Sequence, residues 1–521
     1  MPCASRRAML SAMARKAKVG SAPPGEMSRP LVPESFYFGV ATSGFQVEGG
    51  FNGPGEPSNN WLWWERAGRV EPSGVAVDFW NRYEEHLDRV VALGCNMVRL
   101  GVEWARLEPV EGEIDSTALD RYQAILSACH ERGITPLVTL HHFTHPAWLG
   151  EDFWLEPGSS DRFATWVDTV VPHLAPSCRH WVTLNEMNVL AMGSYLLGIM
   201  PPGRRLAAGD ALCALDNLLA AHVKAYGVLH RLQPDAMVTT NNSASSVYEL
   251  DRMLVDILGA RSAGVSRDEL GAWLAERRGH FYRDTASAGP IEALVRGAGA
   301  LGLSIAPSRR GLAGSSLSEV MARRSGIPGR SLDAVYGSEH ERALDMVGID
   351  YYDPVVSHHI QLPGSKTAGG RSWEPARMLW DDVVDPAGLI AYCRANASDG
   401  LPVWVVENGL CNRVRNGRAF PRRDGWDRIR YLRENLAAVV AAMDAGWQVG
   451  AYLHWSLVDN YEWGSYEPRF GIHGVDRERG FRVLATDSMG ADAAGAYRRL
   501  IDAVRSGDRS ALAGSEWIMC S

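Results

Sequence analysis

Two glutamates stand where apolar runs end. Residues 401 to 410 read LPVWVVENGL: the five from Pro402 to Val406 are apolar, three of them valines, and the run stops at Glu407 before the turn residues Asn408 and Gly409. Residues 180 to 184, HWVTL, make a second strand-like run, followed by Asn185 and Glu186. One carboxylate at the end of one strand is most simply a polar stop. A second in the same setting points to paired carboxyl chemistry such as glycoside hydrolysis. Two carboxyl groups about 5 to 5.5 Å apart divide the work between a nucleophile and an acid that later acts as base, whereas a wider gap admits water and inverts the sugar. Spacing along the chain leaves that gap open. The two groups also need different protonation: the nucleophile stays charged beside an Arg, and the acid keeps its proton through burial and the second negative charge.

Such a pair works only if the fold brings the two strand ends to one place. The chain from Leu31 to Leu457 supplies alternating strands and helices. Leu31 to Ala41 reads as a first strand, ending in Thr42, Ser43 and Gly44; Asn96 to Leu100, Ile134 to Leu140 and His180 to Leu184 follow as the second, third and fourth. Ala236 to Asn241, Asp345 to Tyr351, the run ending at Glu407, and Val449 to Leu457 complete eight. Helices are expected between them over Val77 to Leu93, Ser116 to Arg132, Asp161 to Leu174, Leu212 to Leu232 and Asp424 to Ala445. In the first, Trp80, Tyr83, Leu87 and Val90 form the apolar stripe; in the last, Ile429, Leu432, Leu436, Val440 and Met443 do so before Gly446. Alternation without hairpin signals implies parallel strands and an α/β fold, a (β/α)8 TIM barrel in a single domain with long βα loops. Its expected span is 31 to 508, between a disordered N-terminal tail, 1 to 30, and a C-terminal tail, 509 to 521. Residues 242 to 344 read as a loop elaboration with helix-like pieces at Leu250 to Leu258 and Asp268 to Arg277 and no strand pattern.

Composition narrows the partners. Lys and Arg number 53 against 61 Asp and Glu, a net charge of −8 that argues against a phosphate backbone and hence against nucleic acid. The 18 tryptophans suit a concave site for flat, partly apolar small molecules. Eight scattered cysteines without a C-x-x-C pair fit reduced thiols and a cytoplasmic enzyme. Residues 1 to 26 carry no acid before Glu26; Ser5-Arg6-Arg7 faintly resembles a twin-arginine signal, but Arg15, Lys16 and Lys18 break the apolar stretch that export requires. A tail is expected there, or a start at Met27. No 18-residue apolar run is present, so no membrane span is expected. Oligomeric state is left open.

The motifs resemble those of glycoside hydrolase family 1, the β-glucosidase family of retaining enzymes on a β/α barrel, from Phe36 to Arg499. Phe36 to Glu48, FYFGVATSGFQVE, matches its N-terminal signature, and Val406-Glu407-Asn408-Gly409 its nucleophile motif. The resemblance implies Glu407 as nucleophile and Glu186, in Thr183-Leu184-Asn185-Glu186, as acid/base. It implies that Arg99 and Tyr352 orient Glu407. Gln46, His142, Asn185, Glu462 and Trp463 would bind sugar hydroxyls, with Trp455 beneath the ring and Phe470 nearby. The implied substrate is a small-molecule β-glucoside, or a galactoside or fucoside, with no cofactor and no metal. Glu462-Trp463 and Arg469-Phe470 differ from the Ser, Lys and Tyr set that holds a sugar phosphate in 6-phospho-glycosidases, which implies an unphosphorylated sugar. Two positions depart from the family: Met187 replaces its usual Pro, and Asp350 its usual Asn. An ionised Asp350 would keep Glu186 protonated to higher pH, unless a nearby cation pairs with it or Asp350 is itself protonated.

Other readings use the same residues. Trp455 and Trp463 could be core packing. His141, His142, His145 and Glu151 could suggest a metal, but adjacent histidines on a strand point to opposite faces. An inactive sugar-binding barrel would have no need of both carboxylates. A transglycosidase would use identical residues and pass the glycosyl group to an alcohol instead of water.

Overall fold

The computed structural model describes residues 29–245, 247–285, 329–352, 384–397 and 400–513. The apolar runs become short parallel strands: β1 (Tyr37–Ala41), β2 (Met97–Gly101), β3 (Thr135–His141), β4 (His180–Leu184), β5 (Met237–Thr239), β6 (Asn241–Ser243), β7 (Val347–Asp350), β8 (Val403–Glu407) and β9 (Val449–Trp455). They pair in the order β5-β4-β3-β2-β1-β9-β8-β7-β6, each pair parallel. β5 and β6 are two halves of one fifth strand, interrupted at Thr240, whose hydroxyl turns to the Leu184 carbonyl at 2.7 Å. The Asp345 amide donates to the Val238 carbonyl at 3.0 Å, which joins β5 to the residues leading into β7 and closes the ring. The TIM barrel expected from the alternation is thus formed.

Met97, Leu137, Val182, Met346, Trp404 and Leu453 fill the barrel interior, and a larger apolar layer lies between strands and helices. Side chains two residues further along β2 and β3 point the same way, so Arg99 and Thr139 sit one layer above Met97 and Leu137. The β7–β8 register slips between Ile349 and Asp350, so Asp350 faces Glu407 rather than Val406. Slips of this kind at a barrel rim re-aim side chains, here two carboxyl groups at one mouth.

Helices Phe79–Ala92, Ser116–Glu131, Ser159–Leu174, Ala208–Leu232 and Arg428–Asp444 lie where periodicity placed them. Asp115 and Asp427 start two of them by accepting backbone N–H bonds from the first turn. The first strand is shorter than expected, since a turn from Pro33 to Phe36 precedes it. Between the fifth and sixth strands, Arg252–Gly259 and Leu270–Asp284 are helical as expected, and Arg330–Gly337 adds a third helix that periodicity did not mark. The expected loop elaboration also gives up its first residues to β6. Most of both expected tails, 1–28 and 514–521, lies outside the described residues; Arg509–Leu512 forms a 3-10 turn, with Arg509 paired to Asp444 at 2.8 Å. Among the described residues no helix is long and apolar enough to cross a membrane.

Asp345 ties the fifth strand to the sixth. Its carboxylate accepts from the Val238 amide at 2.8 Å, the Tyr226 hydroxyl at 2.9 Å and His230 Nε2 at 2.9 Å. The hydrogen bond to Asp345 raises the His230 pKa above its usual 6.5. A raised folded-state value means the protonated pair contributes fully below about 6.5 and fades as pH climbs through the folded value. The melting-temperature gap between wild type and His230→Gln is therefore expected to be widest at pH 5.5 and to narrow towards pH 9. A gap that does not change with pH would show that the imidazole acts only by packing.

Candidate active site

Arg99, fully buried, organises the mouth. Its Nε donates to Thr139 Oγ1 at 2.9 Å, Nη1 to Glu407 Oε1 at 2.6 Å and Nη2 to Asn185 Oδ1 at 2.5 Å. The Tyr352 hydroxyl donates to the other oxygen of Glu407 at 2.8 Å. Burial raises the Glu407 pKa, while Arg99 and Tyr352 pull it back. Burial and then the charge of Glu407 push Glu186 to about 8, with weaker opposition from Ser243 and Arg99. The donors are gathered on Glu407, so Glu407 ionises first and Glu186 holds its proton near neutral pH.

Glu186 follows β4 with φ 39° and ψ 60°, a left-handed backbone unusual for a residue with a side chain. Met187 behind it is completely buried, and Asn188 Nδ2 donates to the Ser243 carbonyl at 2.9 Å. The turn after Glu407 is fixed as firmly. Asn408 Oδ1 accepts from the Tyr452 hydroxyl at 2.7 Å, and a Cβ at Gly409 would come within 2.2 Å of the Trp455 carbonyl. Arg428, buried, donates to the carbonyls of Leu410 at 2.8 Å and Phe470 at 2.7 Å, which holds Phe470 beside Tyr352 with ring centroids 5.9 Å apart.

A second polar group lies across the mouth. Gln46 Nε2 faces Glu462 Oε2 at 3.1 Å, the Tyr461 carbonyl at 2.8 Å and Asn460 Oδ1 at 3.2 Å, and its own oxygen accepts from Ser43 at 2.8 Å. Trp455 Nε1 donates to Glu462 Oε1 at 3.1 Å. Burial pushes Glu462 up to about 8. The His142 ring stacks with Trp463 at 5.5 Å and Trp455 at 5.9 Å, and Asn185 Nδ2 donates to its Nε2 at 3.1 Å. Burial and the Arg99 charge hold His142 well below its usual pKa, so it is neutral. His141 points the other way, into Trp154 and Phe163, which removes it from any metal shared with His142. Three carboxyl groups, one guanidinium, and a wall of amides and aromatic rings suit a polyhydroxylated ring with apolar C–H faces.

A family model described as glycosyl hydrolase family 1 matches residues 28–281 and 328–488. The chain belongs to glycosyl hydrolase family 1. Among its relatives, "Beta-glucosidase 40" of Arabidopsis thaliana is 28% identical over 497 residues, 89% of this chain and 92% of that protein. "6-phospho-beta-galactosidase 1" of Streptococcus pneumoniae is 25% identical over 480 residues, 88% of this chain and 97% of the other. A β-glucosidase from Thermotoga maritima, solved in complex with galacto-hydroximolactam, superposes with a TM-score of 0.66 at 22% identity, covering 92% of this chain and 99% of that one, and shares the fold.

In this family 1 glycosidase, the residues that the resemblance marked as catalytic, orienting or sugar-binding lie in the connected group just described. Sequence reasoning did not find Asn241, whose Nδ2 donates to Asn185 Oδ1 at 2.8 Å and also to Asp350. The Asn241-Asn242 pair at the end of the fifth strand, placed as Asn185-Glu186 is after the fourth, was the available signal. Asn460, Thr139 and Ser243 were also missed, being ordinary polar residues in sequence. A carboxylate oxygen from each of Glu186, Asp350 and Glu407 lies within 4.8 Å of the other two. The Asp350 pKa is pushed well up, by burial first and then by both glutamates. Among the described residues the closest cation is Arg99, at 3.9 Å and already engaged by Glu407. Of the expectations for Asp350, burial and both glutamates favour the protonated acid, with Arg99 as a distant ion-pair partner.

Proposed function

We propose that this chain is a retaining β-glycosidase acting on unphosphorylated β-D-glucosides, and on galactosides or fucosides to a lesser extent. The observation that carries this reading is the closeness of Glu186 and Glu407, with oxygens within 4.8 Å, combined with the placement of Arg99 and Tyr352 on Glu407 alone. That separation is in the range for direct attack and leaves too little room for the intervening water of an inverting site, which needs carboxyl groups about 6.5 to 9.5 Å apart. In the first step an oxygen of Glu407 forms a bond to the anomeric carbon as the glycosidic C–O bond breaks, and Glu186 gives its proton to the departing oxygen. In the second, Glu186 takes a proton from water as the water oxygen replaces Glu407, restoring both groups.

Gln46, His142, Asn185, Glu462 and Trp463 would hold hydroxyls, with Trp455 against the ring. Glu462 speaks against a sugar phosphate, because a buried carboxyl whose pKa is pushed up to about 8 offers a dianion no positive charge. Arg469, the neighbouring cation, faces Asp459 at 3.5 Å. A panel of aryl β-glycosides is the test: glucosides are expected to turn over fastest and 6-phospho-sugars at least about 100-fold more slowly, the loss expected for stranding a charged group in a dry site. NMR of the first-formed sugar should show the β anomer. An α anomer first, or preference for the phosphorylated panel, would refute the reading.

A further inference from the structure

The proposed reaction uses two carboxyl groups, and a third, Asp350, brings an oxygen within 4.8 Å of both. Asp350 closes β7, entirely shielded from solvent. Its Oδ2 accepts from Asn241 on β6. Its Oδ1 is buried with no hydrogen-bond donor among the described residues. The groups that face it are Arg99 from β2, Glu407 from β8, Glu186 from the end of β4, and Tyr352, whose hydroxyl is given to Glu407. Arg99 is spread over Thr139, Glu407 and Asn185, and its single charge offsets one carboxylate. Glu186 and Asp350 each bring a carboxyl oxygen within 4.8 Å of the other and hydrogen-bond through their side chains, which two carboxyl groups can do only with a hydrogen between them.

We propose that Asp350 is a positioning residue that works as a neutral acid, its Oδ1 donating a hydrogen bond to the Glu186 carboxyl. The site then holds one negative charge, on Glu407, against one positive charge, on Arg99. Burial and the two glutamates push the Asp350 carboxyl in the direction this requires. When Glu186 has given its proton to the leaving group, the Oδ1–H of Asp350 steadies the carboxylate that must next accept a proton from water. Such sharing has a cost in pH range. A pair that can share one proton gives up the other at lower pH than a lone acid would, as coupled carboxyl groups do. Asp350 therefore limits activity on the alkaline side.

This inference rests on Glu186 as acid/base, and Asp350→Asn tests it: the amide keeps one acceptor for Asn241 and one donor for Glu186 but cannot ionise. With an alkyl β-glucoside, the basic limb of the kcat/KM profile is expected to move up by about one pH unit relative to wild type. A basic limb that stays in place or moves down would overturn the proposal. An activity-independent readout is the carboxyl 13C resonance of aspartate-labelled wild-type protein, assigned by its loss in Asp350→Asn or, should that variant not fold, in Asp350→Ser. It is expected at the position of a neutral acid at pH 6, and a carboxylate position would also overturn the proposal. A neutral Asp350 in a chain that hydrolyses no glycoside would sink the proposed function and leave the protonation of Asp350 standing.

Discussion

Glu407→Gln is expected to lower turnover of every β-glycoside by on the order of 10^5-fold, as loss of a covalent nucleophile does. That corresponds to about 7 kcal/mol of transition-state stabilisation. The amide can keep the surrounding bonds: its oxygen can accept from Arg99, and its nitrogen can meet the Tyr352 hydroxyl, which accepts as well as donates. The variant does strand the Arg99 charge, and breaking a buried ion pair usually costs about 3 to 5 kcal/mol. Here a spare acid stands 3.9 Å from the same nitrogen. Asp350 can ionise when Glu407 no longer does, so the melting temperature is expected to fall by less than that cost implies. Calorimetry beside single-turnover assays checks both parts. A variant retaining a tenth of wild-type turnover would remove Glu407 from the nucleophile's role. In the wild type, a 2-deoxy-2-fluoro glucoside with a good leaving group should leave its sugar covalently on the peptide containing Glu407.

The positions of both glutamates were legible because the strands that carry them are dry on both faces. Runs such as Val403 to Val406 admit no polar residue until the barrel ends, so the first carboxyl group after the run marks the mouth. What sequence did not reveal depends on contacts between distant segments. The fifth strand breaks at Thr240 because MVTTNN has too little apolar pattern to continue, and its second half is held by register against β7. Only that register makes Asn241 a bridge between Asn185 and Asp350. Helix Arg330–Gly337 lacks a local start signal because its cap is remote: Asp216, on helix Ala208–Leu232, accepts the amides of Arg330 at 2.9 Å and Ser331 at 3.0 Å. The turn carrying Gln46 is likewise supported from outside its motif. Phe45 N donates to Glu103 at 2.8 Å, and Glu48 meets Arg106 at 2.9 Å, a guanidinium held between the rings of Phe51 and Trp80. The protonation order was foreseeable for Glu186 and Glu407, whose local chemistry differs. For Asp350 the sequence left an ionised, a paired and a protonated acid open, since the choice turns on one arginine being already engaged.

Glu186→Ala should separate substrates by leaving group. An alkyl glucoside leaves as a poor alkoxide and needs the proton that Glu186 holds up to about pH 8; loss of a general acid costs about 10^2- to 10^4-fold. A dinitrophenyl glucoside leaves unaided, so its first step should be nearly unimpaired and the covalent sugar should accumulate on Glu407. The second step then lacks its base, and kcat falls while KM falls with it, because the intermediate builds up. Azide needs no base to attack. Added azide is therefore expected to restore turnover of the dinitrophenyl substrate and give a β-glycosyl azide, with no such rescue in Glu407→Gln. The configuration of that product carries the argument. Two successive inversions at the anomeric carbon, first by Glu407 and then by azide, leave the β form, whereas attack in a single displacement gives the α form. An α azide would mean that Glu407 never bonds the sugar. The closeness of Glu186 and Glu407, within 4.8 Å oxygen to oxygen, would then need another explanation.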